Sequence, residues 1–148
     1  MTVLIDTNIL VRLIDPKTEA ERQSAVDRLA GLRRAGQRLC ITPQSIAEFW
    51  SVVTRPLPAN GLGLSVAEAQ AATAEIEERF ELLCCDEAVL HPVWQRLVVE
   101  HAAAGRAAFD VRLVAVMQVH SVAAILTFDA GFARYGVTVF DPAATTID

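Results

Sequence analysis

The chain has 148 residues, a single-domain length that suffices to bury a real core. With 53% of its residues hydrophobic, a packed globule is expected rather than disorder, and no uninterrupted apolar run approaches the ~20 residues that span a membrane. A net charge of −5 argues against a nucleic-acid binder working through a basic footprint, unless the negative charge is gathered where metal ions neutralise it.

Val3-Leu4-Ile5 reads as a short buried strand that stops at Asp6 and turns straight into a helix from Thr7 to about Ile14, stopped near Asp15-Pro16. Nothing basic precedes this apolar start, so no signal peptide and a cytoplasmic location are expected. Thr18-Glu19-Ala20-Glu21 has the form of a capping box and opens a helix to about Ala35, with Ala25, Leu29 and Leu32 on one face and Gly36 at its end. A second strand, Leu39-Cys40-Ile41, leads to Thr42-Pro43, a cap followed by a first-turn proline. In the helix that follows, Ile46, Phe49, Trp50 and Val53 form the core stripe, and Glu48 lies off it in the second turn.

Pro56 ends that helix. The stretch from Pro56 to Leu64 reads as the longest loop, mobile and apolar enough to touch a partner. Ser65-Val66-Ala67-Glu68 is a second capping box, opening a helix to about Arg79. Phe80 to Leu83 forms a third strand, and a turn around Asp86 precedes a helix expected from about Pro92 to Ala104, since proline is tolerated near a helix start. Cys84 and Cys85, adjacent in an apolar run, are expected as buried small hydrophobes. With Cys40 they make three thiols, which cannot all pair and form no CxxC ladder for zinc. Asp110 falls in the first turn of a further helix carrying Leu113, Val114, Met117 and His120. Ala123 to Thr127 is a fourth strand, ending in Thr127-Phe128-Asp129. A short helical turn around Phe132 and a fifth strand, Val137 to Phe140, complete the pattern. Strands alternating with helices, each connection long enough for a crossover, predict an α/β fold with a mostly parallel sheet of four to five short strands between helical layers, in one domain over 1–148.

Four carboxylates then share a location. Asp6 and Asp129 terminate strands, Asp110 opens a helix, and Glu48 follows the second strand by fewer than two helical turns. In a parallel sheet all strand ends point one way, so the four lie near one edge. Singly, each has an ordinary explanation: Asp6 a helix cap, Asp110 an acid favoured by the helix dipole, Glu48 a solvated helix residue, Asp129 a turn residue. Together they would repel and take up protons unless cations intervened. Arg106 and Arg112 flank Asp110 and are candidates to pair with it; the sole lysine, Lys17, is remote in sequence. Oxygen ligands without His or Cys suit Mg²⁺ or Mn²⁺. A pair of such ions would carry about four positive charges and support in-line phosphoryl displacement by water. His91, His101 and His120 are scattered and pair with no nucleophile. Trp50 and Trp94 sit in helical stripes, and Arg33, Arg34 and Arg38 form a modest basic cluster expected to face solvent.

Ile5-Asp6-Thr7-Asn8, Ala47-Glu48-Phe49, Phe109-Asp110-Val111-Arg112-Leu113-Val114-Ala115 and Leu126-Thr127-Phe128-Asp129 resemble, in order and spacing, the blocks of the PIN-domain family, most closely the VapC-type toxins of bacterial toxin–antitoxin pairs. The resemblance covers essentially the whole chain. It implies a three-layer α/β/α sandwich, Mg²⁺- or Mn²⁺-dependent ribonuclease activity leaving 5′-phosphate and 3′-hydroxyl ends, a homodimer, and inhibition by a small cognate antitoxin. It also implies that Asp6, Glu48, Asp110 and Asp129 form the catalytic, metal-binding acidic quartet, with Asp6 and Asp110 as the principal ligands. Thr7 and Asn8 match the polar positions after the first acid, and Thr127 the hydroxyl before the last. Other readings are a catalytically weak interaction module of the same fold, motivated by the apolar Pro56–Leu64 loop, and a non-toxin PIN nuclease in RNA processing. A receiver-type or haloacid-dehalogenase-type phosphotransfer site is excluded, because both need a lysine near the later strands and the second also needs an aspartate at position 8, where Asn8 stands.

Overall fold

The structure is a computed structural model and describes residues 1–144. Five strands, β1 (Thr2–Ile5), β2 (Arg38–Ile41), β3 (Glu81–Leu82), β4 (Ala124–Leu126) and β5 (Thr138–Phe140), form one sheet in the order β3-β2-β1-β4-β5. Every pairing is parallel. The central strand β1 is registered with Val3 opposite Leu39 on one side and Ala124 on the other. Chain order runs outward from β1 to β3, then returns to β1's other side for β4 and β5. That reversal opens a crevice at the carboxyl ends of β1 and β4, the place where open parallel sheets bind ligands.

Strand alternation sorts the sheet's side chains onto two cores. Val3, Ile5, Leu39, Ile41, Ala124 and Leu126 face one helical layer, built from α1 (Thr7–Arg12), α2 (Glu19–Arg34), α3 (Pro43–Thr54) and α4 (Val66–Arg79). Leu4, Cys40 and Ile125 face the other, built from α5 (Glu87–Glu100) and α6 (Ala107–Val119), where the 3₁₀ segment Ala130–Tyr135 adds Phe132 and Tyr135. This is the three-layer α/β/α arrangement the pattern predicts. β1 contributes to both cores because it is covered on both faces, so its apolar run has no polar interruption. No helix of the described residues is long and apolar enough to cross a membrane.

Several local expectations are corrected. The box at Thr18 does not close: the Thr18 side chain makes no cap bond, and Glu21 pairs with Arg12 across the α1–α2 corner instead. The box at Ser65 does close, with reciprocal Ser65–Glu68 bonds of 3.1 Å. Helix α5 starts at Glu87 rather than near Pro92, because the Asp86 carboxylate accepts the Ala88 N–H at 2.9 Å and caps an earlier turn. Pro92 is carried inside the helix. Cys84 is exposed and Cys85 half-buried; β3 is a two-residue edge strand, and both cysteines lie past it in the connection to α5.

The Pro56–Leu64 stretch is not a free loop. Leu57–Ala59 forms a 3₁₀ turn, the Leu62, Gly63 and Leu64 N–H groups donate to carbonyls of Val52, Arg55 and Val53 at 3.4, 2.9 and 2.9 Å, and Leu62 and Leu64 pack on the first core. Its apolar residues serve the chain's own interior, and Leu57 alone among its leucines is prominently exposed.

Candidate active site

Asp6 follows β1 directly, and its N–H extends the ladder to the Leu126 carbonyl at 3.1 Å. It caps α1 as well, with Oδ1 accepting the Thr7 N–H at 2.8 Å, while Oδ2 accepts the Thr127 hydroxyl at 2.7 Å. The capping role and the site role thus fall on one side chain, one oxygen each. Asp6 is only 7% exposed. Burial pushes its pKa from 3.8 up to about 6; the hydrogen bonds from Thr127 and Thr7 oppose the rise, and the charges of Glu48 and Asp110 add to it.

Glu48 reaches the same cleft from the second turn of α3. Its Oε2 accepts the Thr7 hydroxyl and its Oε1 accepts Gln44 Nε2, both at 2.9 Å. Asp110, in the first turn of α6, accepts no hydrogen bond from the described residues. Burial raises its pKa, and the charges of Asp129 and Glu48 raise it further against Arg134 and Arg106. Asp129 caps the 3₁₀ segment through the Gly131 N–H at 2.8 Å. All four acids line a single cleft of about 540 Å³. The electrostatic coupling runs from Asp6 to Glu48 and Asp110, and from Asp110 to Asp129. The arginines flanking Asp110 do not neutralise it by direct pairing: Arg112 turns to Glu87 at 2.5 Å, and Arg106 lines the cleft without an ion pair at contact distance among the described residues.

The secondary polar residues hold this edge together. Thr7 holds Glu48. Asn8 donates to Thr127 Oγ1 at 3.0 Å and accepts the Phe128 N–H at 3.3 Å, and the Asp129 N–H also donates to Thr127 Oγ1 at 3.0 Å. Gln44 was missed in the sequence. Its Nε2 also donates to the Phe109 carbonyl at 2.9 Å, tying α3 to the start of α6. The available signal was its position four residues before Glu48 on one helix face. Phe109, Arg55 and Arg12 line the cleft without having been singled out for it. The three histidines lie away from the cleft lining, and both tryptophans pack on the cores as expected.

No Cys or His lines the cleft, so its ionisable donors are carboxylates, a set that suits a hard divalent cation. The raised pKa of Asp6 comes first from its burial, and the neighbouring charges of Glu48 and Asp110 add to it. Among the described residues, no three acids stand close enough to close a cage unaided. Asp6 and Glu48 each spend both oxygens on protein donors, Asp129 spends one, and Asp110 keeps both free among the described residues. The donor set and its place at the strand ends fit a Mg²⁺ or Mn²⁺ ion in chemistry, with Asp110 offering free oxygens and Asp6 the most buried of the four.

A family model described as "PIN domain" matches residues 3–137. No curated protein sequence matches the chain significantly. Among solved structures, the chain is similar to VapBC2 from Rickettsia felis bound to a DNA fragment from its promoter, with 16% identity, 95% of this chain and 98% of that one covered, and a TM-score of 0.72. VapBC-1 from nontypeable Haemophilus influenzae is similar at 16% identity over 97% and 100% of the two chains, with a TM-score of 0.68. VapC20 of Mycobacterium tuberculosis, described as a sarcin-ricin loop cleaving toxin, is similar at 20% identity over 92% and 96%, with a TM-score of 0.63.

Proposed function

Because the chain belongs to the PIN-domain family, we propose that it is a divalent-metal-dependent endoribonuclease and the toxin of a toxin–antitoxin pair. The observation that carries this reading is the convergence of Asp6, Glu48, Asp110 and Asp129 on one cleft, with Asp6 pushed up to about 6 by burial and, less, by the charges of Glu48 and Asp110. Asp6 and Asp110 would be the principal ligands of Mg²⁺ or Mn²⁺, with Glu48 and Asp129 completing the site. A cation held there would supply Lewis acidity, for the activation of water and for the charge on the leaving oxygen of a phosphodiester.

The chain's own contribution is placement. Thr127 and the Thr7 N–H hold the two Asp6 oxygens in fixed directions, and Thr7 and Gln44 do the same for Glu48. Catalytic groups held this way need little reorganisation when the substrate arrives. Residues 1–148 act as one domain in this reading, a cytoplasmic homodimer restrained by a small antitoxin, in keeping with similar chains that come from VapBC complexes.

The test is Mn²⁺-dependent cleavage of structured and single-stranded RNA by the wild type and Asp6→Asn. Cleavage by the wild type leaving 5′-phosphate ends, and its loss in the variant, are expected; equal cleavage by both overturns the proposal. A short reading frame immediately upstream that encodes a small DNA-binding protein supports the toxin role, whereas its absence favours a non-toxin PIN nuclease.

A further inference from the structure

Phe109 stands immediately before Asp110, lines the acidic cleft, and is 59% exposed. Among the described residues it is the one aromatic ring in the set of exposed large apolar side chains. A single exposed apolar residue is ordinary, but this one differs in its support. The backbone beneath it is fastened twice: Gln44 Nε2 donates to the Phe109 carbonyl and Trp94 Nε1 to the Ala108 carbonyl, each at 2.9 Å. The exposed ring thus lines the cleft from an anchored first turn of α6. Arg55 and Arg106 line the same cleft, and neither is in an ion pair among the described residues, whereas Arg12, Arg22, Arg38 and Arg112 all are.

A cleft lined by four acids, two guanidinium groups outside any ion pair among the described residues and one exposed aromatic ring matches an unpaired stretch of RNA. Guanidinium groups receive phosphates, and an aromatic ring receives an unstacked base. An apolar protein segment fits less well, because the alternation of acids and arginines around the ring would leave its backbone facing unpaired charges. We infer that Phe109 is the platform on which a nucleobase beside the scissile phosphate stacks, with Arg55 and Arg106 taking the neighbouring phosphates. The inference rests on the ribonuclease reading above and makes Phe109 a residue that selects splayed, single-stranded substrate.

Two readouts test it. The first is steady-state cleavage of a single-stranded oligoribonucleotide by the wild type, Phe109→Ala, Phe109→Leu and Phe109→Trp, with and without an abasic nucleotide at each position flanking the cleaved bond. A lost stack is worth about tenfold in affinity. Phe109→Ala and Phe109→Leu should therefore raise KM about tenfold with kcat within about twofold, and Phe109→Trp should match the wild type. An abasic nucleotide at one flanking position should cost the wild type a similar factor and cost Phe109→Ala nothing more. The second readout does not depend on cleavage: quenching of a 2-aminopurine base at that position on binding in Mg²⁺, retained with Trp and lost with Ala or Leu.

Unchanged KM and quenching in Phe109→Ala, or a leucine as good as tryptophan, overturns the platform and points to a protein segment as the occupant. A wild type that binds RNA through Phe109 without cleaving it overturns the nuclease reading and leaves the platform standing. A wild type that neither binds nor cleaves overturns both.

Discussion

Replacing Asp6 with asparagine should stabilise the protein in the absence of divalent metal, the opposite of what deleting a buried, doubly hydrogen-bonded side chain ordinarily does. The Asp6 carboxyl rises from 3.8 to about 6 on folding, and a difference of that size corresponds to ~3 kcal/mol of cost for holding the charged form at neutral pH. Asparagine removes the charge and keeps the shape. It also loses one hydrogen bond. Thr127 Oγ1 already accepts from Asn8 Nδ2 and the Asp129 N–H while donating to Asp6 Oδ2, so it has no lone pair left for an asparagine N–H. That loss, of a bond to a charged acceptor, is worth ~1.5 kcal/mol. The net gain of ~1.5 kcal/mol corresponds to a rise in Tm of about 3–6 °C for a chain of this length. The sign with pH follows from the raised folded-state pKa. The folded state binds the proton more tightly, so the wild type is relatively most stable below 3.8, loses stability as pH rises from 3.8 to about 6, and carries the full cost above that. Thermal unfolding of both proteins in EDTA from pH 4 to 7.5 should show the variant's advantage growing with pH. Millimolar Mn²⁺ should raise the Tm of the wild type and leave Asp6→Asn nearly unmoved, since only the former gains a bound ion. A variant less stable than the wild type at pH 7 in EDTA, or an advantage independent of pH, refutes the reasoning.

Gln44→Met keeps the aliphatic stem and removes the amide that bonds Glu48 Oε1 and the Phe109 carbonyl. One lost hydrogen bond to a charged group, ~1.5 kcal/mol, predicts a fall in kcat of about tenfold with KM changed less, read by RNA-cleavage kinetics beside a circular-dichroism melt showing an intact fold. Gly61→Ala should destabilise by ~1–3 kcal/mol, because a Cβ there would sit 2.0 Å from the Arg55 carbonyl oxygen, and backbone has to move. Urea denaturation measures this, and a neutral result would mean the Pro56–Leu64 stretch is looser than its hydrogen bonds to α3 indicate.

What could be read from the chain alone was whatever short-range signals determine. An unbroken apolar triplet ending in Asp6 marks a strand buried on both faces. Thr42-Pro43 marks a helix start that the structure reproduces, with Thr42 accepting the Ser45 N–H at 3.0 Å. The parallel topology alone puts Asp6, Glu48 and Asp129 on one edge, because each follows a strand end; Asp110 follows a helix and is brought there by the packing of α6. The failures share a physical cause. Thr18 and Ser65 head equally good capping boxes, but Arg12 competes for Glu21, and among the described residues none competes for Glu68. The Pro56–Leu64 stretch has a loop's composition, and only its contacts with α3 and the first core show that it is packed. Cys84 and Cys85 lie in an apolar run, yet β3 stops before them, so Cys84 is exposed and Cys85 only half-covered against the second core.

The motifs around Asp6 and Asp129 look like two signals in the sequence, and in the fold they are one structure. Thr127 Oγ1 receives Asn8 and the Asp129 backbone and gives its proton to Asp6, and Asn8 in turn receives the Phe128 N–H. A one-residue slip of β4 against β1 would break the three bonds that join Asp6 and Asn8 to Thr127 and Phe128, and would also turn Ile125 onto the wrong core. The hydroxyl at position 127 therefore checks the register of the two central strands while it aims the buried carboxylate. Thr127 thus supports the cleft from beneath, buried and outside its lining, although it carries no charge and has no place in the chemistry. Glu48 depends on the same corner, since Thr7 is both the first residue of α1 and the donor to its Oε2. Acid placement and strand pairing are thus enforced by a single set of bonds, and a sequence able to form the sheet in this register has already brought Asp6, Glu48 and Asp129 to the edge where a cation would meet them.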